Sequence, residues 1–226
     1  MRTDYSDTTV VIPVKDEPSV GRVAAQVLKE LQGCRVIVIY KNSDSNRPKL
    51  RKEIAHRVLL LKQKGTGKGV ACVQAAEHVR TPIMCLIDGD ATYDARDLRK
   101  LVELVRKGAK MAIGNRLVNL DRRAMPGVIE FGNKILTLAG NAIYGLELRD
   151  SQTGLRAIRK SAFEQMKLRE THFGIETEMN IKAKKMNMNV EEVPVHYYVR
   201  VGESKQPFKP LNGVRLFLVN FKFLFN

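Results

Sequence analysis

The stretch PIMCLIDGD, residues 82–90, begins like a buried strand and ends in two carboxylates. A continuous apolar run such as Pro82 to Ile87 is typical of a strand covered on both faces, as strands of parallel sheets are. Asp88 and Asp90 follow with only Gly89 between them. Ligands of open parallel sheets bind outside the carboxyl ends of the strands, so this strand end is the first candidate for a site.

Strand and helix patterns alternate around this stretch. The sequence predicts strands at residues 8–14, 35–40, 57–62, 82–88 and 110–115. Between them it predicts helices at 19–32, 47–56, 67–79 and 95–108. Strands separated by helices of this length form βαβ units. We therefore predict an α/β fold, with a mostly parallel, Rossmann-like sheet flanked by helices.

The second half of the chain is less regular, with helix patterns at 130–145 and 174–187 and a strand pattern at 190–199. We predict one domain over residues 1–206 and an amphipathic C-terminal segment over 207–226. This segment is rich in Leu, Val and Phe and suits a helix lying in the interface of an anionic membrane. Docking of the segment on the core, or on a second subunit, is the alternative, and a homo-oligomer is left open.

Composition narrows the function classes without choosing among them. The chain has 226 residues, 44% of them hydrophobic, and a formal net charge of +15. Nucleic acid, an anionic membrane and phosphorylated small molecules all fit that charge, but we find no nucleic-acid-binding motif and expect no nucleic acid partner. The sequence shows neither a signal peptide nor a membrane-spanning run, which predicts a cytoplasmic protein. Cys34, Cys72 and Cys85 are interpreted as small buried hydrophobic residues.

The pair Asp88 and Asp90 predicts a metal site. Residues i and i+2 of an extended chain point the same way, and two adjacent carboxylates repel each other unless a cation neutralises them. Oxygen ligands select a hard ion, Mg²⁺ or Mn²⁺, which often completes its shell with substrate phosphates. Gly89 is expected to leave room for that ligand. The alternative is an Asx turn in which one of the two carboxylates caps the helix at 95–108.

The glycine-rich stretch KGTGKG, residues 64–69, is suggestive of a P-loop but lacks two of its defining residues. No glycine stands four residues before Gly67, and Gly69 occupies the place of Ser or Thr. We interpret it instead as a turn that feeds a helix N-terminus near a phosphate-bearing ligand.

Several motifs, in order, resemble the family 2 glycosyltransferases of the GT-A fold. These are VVIPVKDE (10–17), GKGVA (67–71) and LIDGDATYD (86–94). Downstream, IGNR (113–116), DSQTGLRA (150–157), EVPVHYYVRVGESK (192–205) and PLNGVRL (210–216) resemble the branch that contains dolichyl-phosphate mannose synthase and other polyprenyl-phosphate glycosyltransferases. The resemblance runs from about residue 8 to about residue 216.

The resemblance implies a set of donor-binding and metal-binding residues. Asp88 and Asp90 match the metal-binding aspartates, and the role of Thr92 beside them is left open. The donor-binding positions are Pro13, Glu17, Asp44, Lys68, Asp88, Arg200 and Lys205. Of these, Asp44 stands in for an Asp-Asp pair that this chain lacks, so the donor base, UDP or GDP, is not determined. Arg200 and Lys205 would lie on a loop over the donor diphosphate, where Arg forks onto phosphate oxygens and Lys supplies a point charge.

The resemblance also implies catalytic and acceptor-side residues. Asp90, Arg116 and Asp150 are the catalytic candidates, with Asp150 acting as a base, orienting a basic residue, or only forming a turn. The acceptor-binding candidates are Arg122, Arg123, Asn133 and Gln152. Glu176 and Glu178 point to different faces of a helix, so at most one is expected to reach the site.

The resemblance implies an activity: the transfer of a sugar, with inversion, from a nucleotide diphosphate sugar to a polyprenyl (dolichyl) phosphate, with Mg²⁺ or Mn²⁺ as cofactor. The enzyme would be peripheral at the cytoplasmic membrane face. A soluble family 2 enzyme with a sugar, glycerate or protein acceptor is the alternative. A nucleic-acid-binding module and a nucleotidyltransferase are the other two hypotheses.

Overall fold

A computed structural model of the chain describes residues 3–41, 47–200 and 210–224. Seven strands form one sheet: β1 (Thr8–Lys15), β2 (Arg35–Lys41), β3 (Val58–Lys62), β4 (Ile83–Leu86), β5 (Met111–Leu120), β6 (Arg156–Arg159) and β7 (Val190–Tyr197). The order across the sheet is β3-β2-β1-β4-β6-β5-β7. All neighbouring strands are parallel except β6, which runs antiparallel to both β4 and β5. The prediction of a mostly parallel α/β sheet is confirmed.

Helices cover both faces of this sheet. They are α1 (Val20–Glu30), α2 (Lys52–Ala55), α3 (Lys68–Ala76), α4 (Leu98–Arg106), α5 (Gly127–Tyr144), α6 (Lys160–Gln165), α7 (Ile175–Lys185) and α8 (Pro210–Lys222), with a 3₁₀ turn (Ala95–Asp97) before α4. The helix predicted at 47–56 is wrong in extent, because α2 is a single turn with an extended residue, Arg51, before it. Pro48 and the lack of buried side chains in α2 account for the shortfall.

The strands that bear the site are buried on both faces. Along β1, Val10 and Ile12 pack into a core with α1 and α4, while Val11 packs into a second core with α3, α6 and α7. This alternation explains why these strands are apolar throughout. The three thiols are buried, as interpreted from the sequence, and burial raises the pKa of Cys34 and of Cys72 to about 12.

Helix α8 packs on α5 and α7. Val219 and Phe223 are buried against Ile181 of α7, and the hydroxyl of Tyr144 in α5 donates to the carbonyl of Asn220. One side of α8 is therefore docked on the core, as the alternative to a membrane-bound segment predicted. The division into 1–206 and 207–226 falls in a stretch outside the described residues and stays a prediction. Among the helices that the structure describes, none combines the length and the apolar character needed to cross a bilayer.

Strand order fixes where the site lies. The chain continues from β1 outward to β2 and β3 on one side, whereas β4 joins β1 on the other side. The carboxyl ends of β1 and β4 are therefore adjacent at a topological switch point, the usual ligand site of an open α/β sheet. Glu17 follows β1, and Asp88 and Asp90 follow β4, so these three carboxylates converge there.

Candidate active site

The turn after β4 orients the side chain of Asp90 through hydrogen bonds. Ala91 has a φ of 60°, a left-handed conformation that is uncommon for alanine. This turn lets Thr92 donate to Asp90 Oδ1 from its backbone N–H (3.2 Å) and from its hydroxyl (2.7 Å). Asp90 thus makes an Asx-type bond, but the side chain that caps the following turn is Asp94, which accepts from the N–H of Arg96. Thr92, whose role the sequence left open, positions Asp90.

Two glycines shape the surroundings of Asp88, one of them differently from our expectation. A Cβ at Gly89 would lie 2.3 Å from Cγ1 of Val14 in β1, so Gly89 permits β1 and β4 to close up, and the expectation that it leaves room for a ligand is wrong. A Cβ at Gly154 would lie 2.3 Å from Asp88 Oδ2 and 2.9 Å from Lys68 Nζ. Gly154, which the sequence did not single out, is the residue that leaves space at the carboxylate.

Lys68 lies between two carboxylates, the half-buried Asp88 and the buried Glu176. Its Nζ is 2.5 Å from Asp88 Oδ1 and 2.7 Å from Glu176 Oε1, and its side chain is only 12% exposed. Burial alone would lower the pKa of Lys68, but Asp88 and Glu176 outweigh it and hold that pKa above its ordinary value. Of the two glutamates in α7, only Glu176 reaches the site. Glu178 accepts instead from the backbone N–H groups of Arg169 and Glu170.

Arg200 joins the carboxyl ends of β1 and β4. Its guanidinium pairs with Glu17, and its Nη1 lies 3.7 Å from Asp90 Oδ2. Burial and the neighbouring Asp88 raise the pKa of Asp90, while Thr92 and Arg200 act in the opposite direction. A ligand bound at the switch point would therefore contact the guanidinium of Arg200.

The residues present suit a divalent cation. Among the residues that the structure describes, the carboxylates of Glu17, Asp88, Asp90 and Glu176 form ion pairs with Lys68 and Arg200, which leaves a formal excess of two negative charges in this group. The oxygen donors are of the kind that Mg²⁺ and Mn²⁺ prefer. Within the described ranges, no group of three or more His, Cys, Asp or Glu side chains is placed to hold a metal ion. Asp88 and Asp90 stay the predicted protein ligands, and a phosphate-bearing ligand would have to supply others.

Arg116 and Asp150 form a buried ion pair. Arg116 donates to Asp150 through Nε (2.7 Å), Nη2 (2.7 Å) and its backbone N–H (3.0 Å), so that both carboxylate oxygens accept. Its guanidinium also lies 5.4 Å from the centre of the Tyr197 ring. Of the three readings offered for Asp150, its contacts match the one in which it orients a basic residue.

The loop of residues 150–154 is held by hydrogen bonds with side chains that the sequence did not single out. Arg156 is completely buried and donates to the carbonyls of Ser151 and Thr153, each at 3.0 Å, and to Asn180 Oδ1 at 2.7 Å. The hydroxyl of Tyr93 accepts from the N–H of Gly154 at 2.8 Å. The only signal available was the position of Arg156 inside DSQTGLRA, which does not reveal its burial.

The acceptor-side candidates are dispersed. Arg122 is exposed, and Arg123 is exposed and paired with Asp121. Asn133 lies inside α5 against Met125 Sδ, and Gln152 donates to Ser151 Oγ and Thr177 Oγ1. Their predicted roles stay predictions.

Of the donor-side candidates, Pro13 lies on β1 beside the switch point, whereas Asp44 and Lys205 fall outside the described residues. The structure also contains a histidine–carboxylate pair that the sequence pattern did not reveal. The backbone N–H of His196 donates to Asp97 Oδ2 at 2.7 Å, and the ring Nδ1 of His196 lies 3.0 Å from the same oxygen. The pair lies on the opposite face of β7 from Tyr197, away from Arg116.

Comparison with known proteins identifies the family. Residues 9–167 match the family model described as glycosyl transferase family 2. The chain belongs to glycosyl transferase family 2. The matched range contains Asp88, Asp90, Arg116 and Asp150, whereas Glu176 and Arg200 lie beyond it.

Several similar proteins come from one organism, Haloferax volcanii. Glycosyltransferase AglJ of Haloferax volcanii is 34% identical over 185 residues, which cover 81% of this chain and 60% of that protein. The dolichyl-phosphate hexose transferase of the same organism is 28% identical over 206 residues, covering 90% of this chain and 89% of that protein. The chain spans 53% of a third relative, the low-salt glycan biosynthesis hexosyltransferase Agl6.

Solved structures agree with this assignment at the level of the fold. Glucosyl-3-phosphoglycerate synthase from Mycobacterium tuberculosis in complex with uridine diphosphate has a TM-score of 0.72 at 16% identity, covering 95% of this chain and 79% of that one. The same enzyme with Mn²⁺, uridine diphosphate and glucosyl-3-phosphoglycerate has a TM-score of 0.70 at 14% identity. The chain, a member of glycosyl transferase family 2, therefore has the GT-A fold.

Proposed function

We propose that this glycosyltransferase moves a sugar from a nucleotide diphosphate sugar to a polyprenyl phosphate. The observation that carries the lipid acceptor is an exposed apolar stripe on α5, formed by Val128, Phe131, Ile135 and Leu138. These residues are spaced so that they share one side of the helix. The opposite side, with Leu136 and Thr137, is buried, and Thr137 bonds Ser151 of the 150–154 loop. The stripe therefore belongs to the helix that abuts the loop carrying Asp150.

The donor is assigned to the switch point between β1 and β4. Glu17 and Pro13 follow the β1 side, where base and ribose would lie, and Arg200 spans from Glu17 to Asp90, where the diphosphate would lie. The uridine diphosphate named in the neighbouring structures supports a nucleoside diphosphate here, without choosing its base.

Asp88 and Asp90 would hold a divalent cation together with the donor diphosphate. When bound, Mg²⁺ or Mn²⁺ supplies positive charge to the leaving diphosphate. The protein's own contribution is electrostatic as well: Arg200 faces the same leaving group and would stabilise the charge that grows on it.

The acceptor phosphate needs no strong base. With a second pKa of about 6, a phosphate monoester is largely dianionic at neutral pH and is already a nucleophile. Asp150 uses both oxygens on Arg116, so we assign it to orienting that arginine rather than to removing a proton. Arg116 would then bind the acceptor phosphate and screen it from the donor diphosphate. The exposed Arg122 and Arg123, on the loop before α5, would add positive charge for the same acceptor.

Contact with a membrane surface would present the lipid. Helix α8 exposes Leu218 and Phe221 while packing on α5, which bears the stripe. Basic residues near α5, including Arg122 and Lys134, suit anionic head groups. This arrangement supports a peripheral enzyme at the cytoplasmic membrane face.

A two-phase transfer assay tests the proposal. Labelled UDP- and GDP-hexoses are incubated with the protein, Mg²⁺ or Mn²⁺, and a polyprenyl phosphate, and the mixture is extracted into organic solvent. We expect label in the organic phase, abolished by EDTA. If donor is consumed only with a water-soluble acceptor such as 3-phosphoglycerate, the lipid acceptor is wrong and the soluble alternative replaces it.

A surface variant tests the stripe itself. Leu138→Glu should reduce transfer to polyprenyl phosphate in vesicles by about tenfold, because it places a charge where the apolar surface would meet lipid. Leu59→Glu, at an exposed leucine on β3, is the matched control and should leave transfer unchanged. Equal effects of the two changes would show that the apolar stripe on α5 has no specific role in binding the lipid acceptor.

A further inference from the structure

We propose that Lys68 is a resident counter-ion that competes with the divalent cation for Asp88 and withdraws onto Glu176 when the cation binds. The inference rests on the proposed function in one respect, the binding of a divalent cation at Asp88 and Asp90. It goes beyond that function because it assigns a regulated order to the site: Lys68 opposes binding of the cation alone.

The first support is the position of the Lys68 ammonium. It contacts Asp88 Oδ1 at 2.5 Å, so it occupies an oxygen that a metal would need. It also contacts Glu176 Oε1 at 2.7 Å, so a second carboxylate is already within reach. Lys68 is therefore shared between a prospective metal ligand and a carboxylate on α7.

The second support is an oxygen of Glu176 that lacks a partner. The Glu176 side chain is 6% exposed, and its Oε2 is buried without any hydrogen-bond donor among the described residues. Buried polar atoms are nearly always paired, so this atom calls for an explanation. An ammonium carries three donors, and a small shift of Lys68 toward Glu176 would satisfy Oε2 and free Asp88 Oδ1 together.

The third support is that the backbone around Lys68 is held in place. Lys68 begins α3, and the glycines on either side are packed against the backbone of another loop. A Cβ at Gly67 would lie 2.1 Å from the carbonyl oxygen of Thr171, and one at Gly69 would lie 1.9 Å from that of Glu170. The main chain is thus held in place, and the flexible end of the side chain is the part free to move between the two carboxylates.

Electrostatics gives the direction of the movement. A divalent cation arriving at Asp88 and Asp90 repels an ammonium in direct contact with Asp88, and burial strengthens that repulsion. Glu176 receives the displaced charge without exposing it to solvent. In the absence of a donor diphosphate, Lys68 therefore weakens cation binding, and the diphosphate helps the cation to displace it.

Binding of Mn²⁺ to the protein alone, followed by the electron paramagnetic resonance signal of free Mn²⁺, tests this without any transfer reaction. Lys68→Met should tighten Mn²⁺ binding at least tenfold, because Asp88 is uncovered. Glu176→Gln should weaken it several-fold, because Lys68 then has Asp88 as its single carboxylate. Lys107→Met removes an exposed charge at the end of α4 and should leave the affinity unchanged.

A double variant identifies the atom over which the two cations compete. In an Asp88→Asn background, Lys68→Met should have no effect on Mn²⁺ affinity. Thermal unfolding of each variant checks that it is folded. If Lys68→Met does not fold, Glu176→Gln decides alone, and unchanged or tighter binding in that variant overturns the inference.

The outcomes separate this inference from the proposed function. Wild-type binding of Mn²⁺ with no change in Lys68→Met overturns the counter-ion role and leaves the transferase proposal intact. Absence of Mn²⁺ binding even with UDP or GDP present overturns the counter-ion role and the metal assignment together. The two-phase transfer assay tests the lipid acceptor independently of these binding measurements.

Discussion

The two ion-pair groups of the site, Arg116–Asp150 and Lys68–Asp88–Glu176, differ in how completely their carboxylate oxygens are paired. Asp150 accepts three hydrogen bonds from Arg116 on its two oxygens. In the second group one cation is shared by two carboxylates, and Glu176 Oε2 has no partner. The difference teaches that one buried ion pair can fix a loop in place while another is left able to rearrange when a ligand arrives.

The sharpest test of this comparison is the same chemical change at both groups. Asp150→Asn leaves the buried Arg116 without a carboxylate and should lower the free energy of unfolding by about 3–5 kcal/mol. Glu176→Gln leaves Lys68 paired with Asp88 and should cost about 1 kcal/mol. Urea denaturation of both variants measures the difference. Equal losses would mean that the two groups are equally structural.

Asp90 should separate activity from stability. Asp90→Asn is expected to reduce sugar transfer about 100-fold to 1000-fold, the range seen when a main electrostatic stabiliser is removed. Its stability should not fall, because burial and Asp88 already disfavour the charged form of Asp90 and raise its pKa. The transfer assay and a thermal melt on the same preparation check both parts. A large loss of stability would make Asp90 part of the fixed framework instead.

Gly154 links the two groups, since it follows Asp150 in the loop and leaves room for Asp88. Gly154→Ala should cost about 2 kcal/mol, because its methyl group would overlap Asp88 Oδ2. Gly132→Ala is the matched control. Gly132 lies inside α5 with nothing within 4 Å of its would-be Cβ, so this change should stabilise by up to about 1 kcal/mol. Destabilisation by both changes would point to a general cost of alanine rather than to Asp88.

The smallest effect is expected at Tyr93. Tyr93→Phe removes the acceptor for the N–H of Gly154 and should cost about 1–2 kcal/mol. Tyr198→Phe is the control, because its exposed hydroxyl is 3.4 Å from Asp94 and should contribute almost nothing. Denaturation midpoints compare the two. A neutral Tyr93→Phe would show that Arg156 holds the loop without help from Tyr93.

Much of the site on β4 was predictable because it depends on local pattern. The apolar run that ends at Ile87 indicated a strand buried on both faces, and Asp88 and Asp90 followed from its end. The partners of these carboxylates were not predictable. Lys68 could be placed at a helix start, but its contact with Glu176 depends on how α3 and α7 lie across the second core.

Sequence by itself determined β1 to β5, the helices between them apart from the extent of α2, and the position of the aspartates at the end of β4, because each depends on residues close together in the chain. The motifs, taken in order, also pointed to the family. The sequence predicted neither β6 nor α6, and the switch point itself depends on the order of the strands. Only the tertiary structure decided that β6 enters antiparallel between β4 and β5, which brings Gly154 to Asp88 and Asp150 to Arg116. It also decided that Gly89 serves packing against Val14 rather than a ligand. Strand pairing and side-chain contact between distant segments depend on the packing of the whole chain, and no local pattern of residues encodes them.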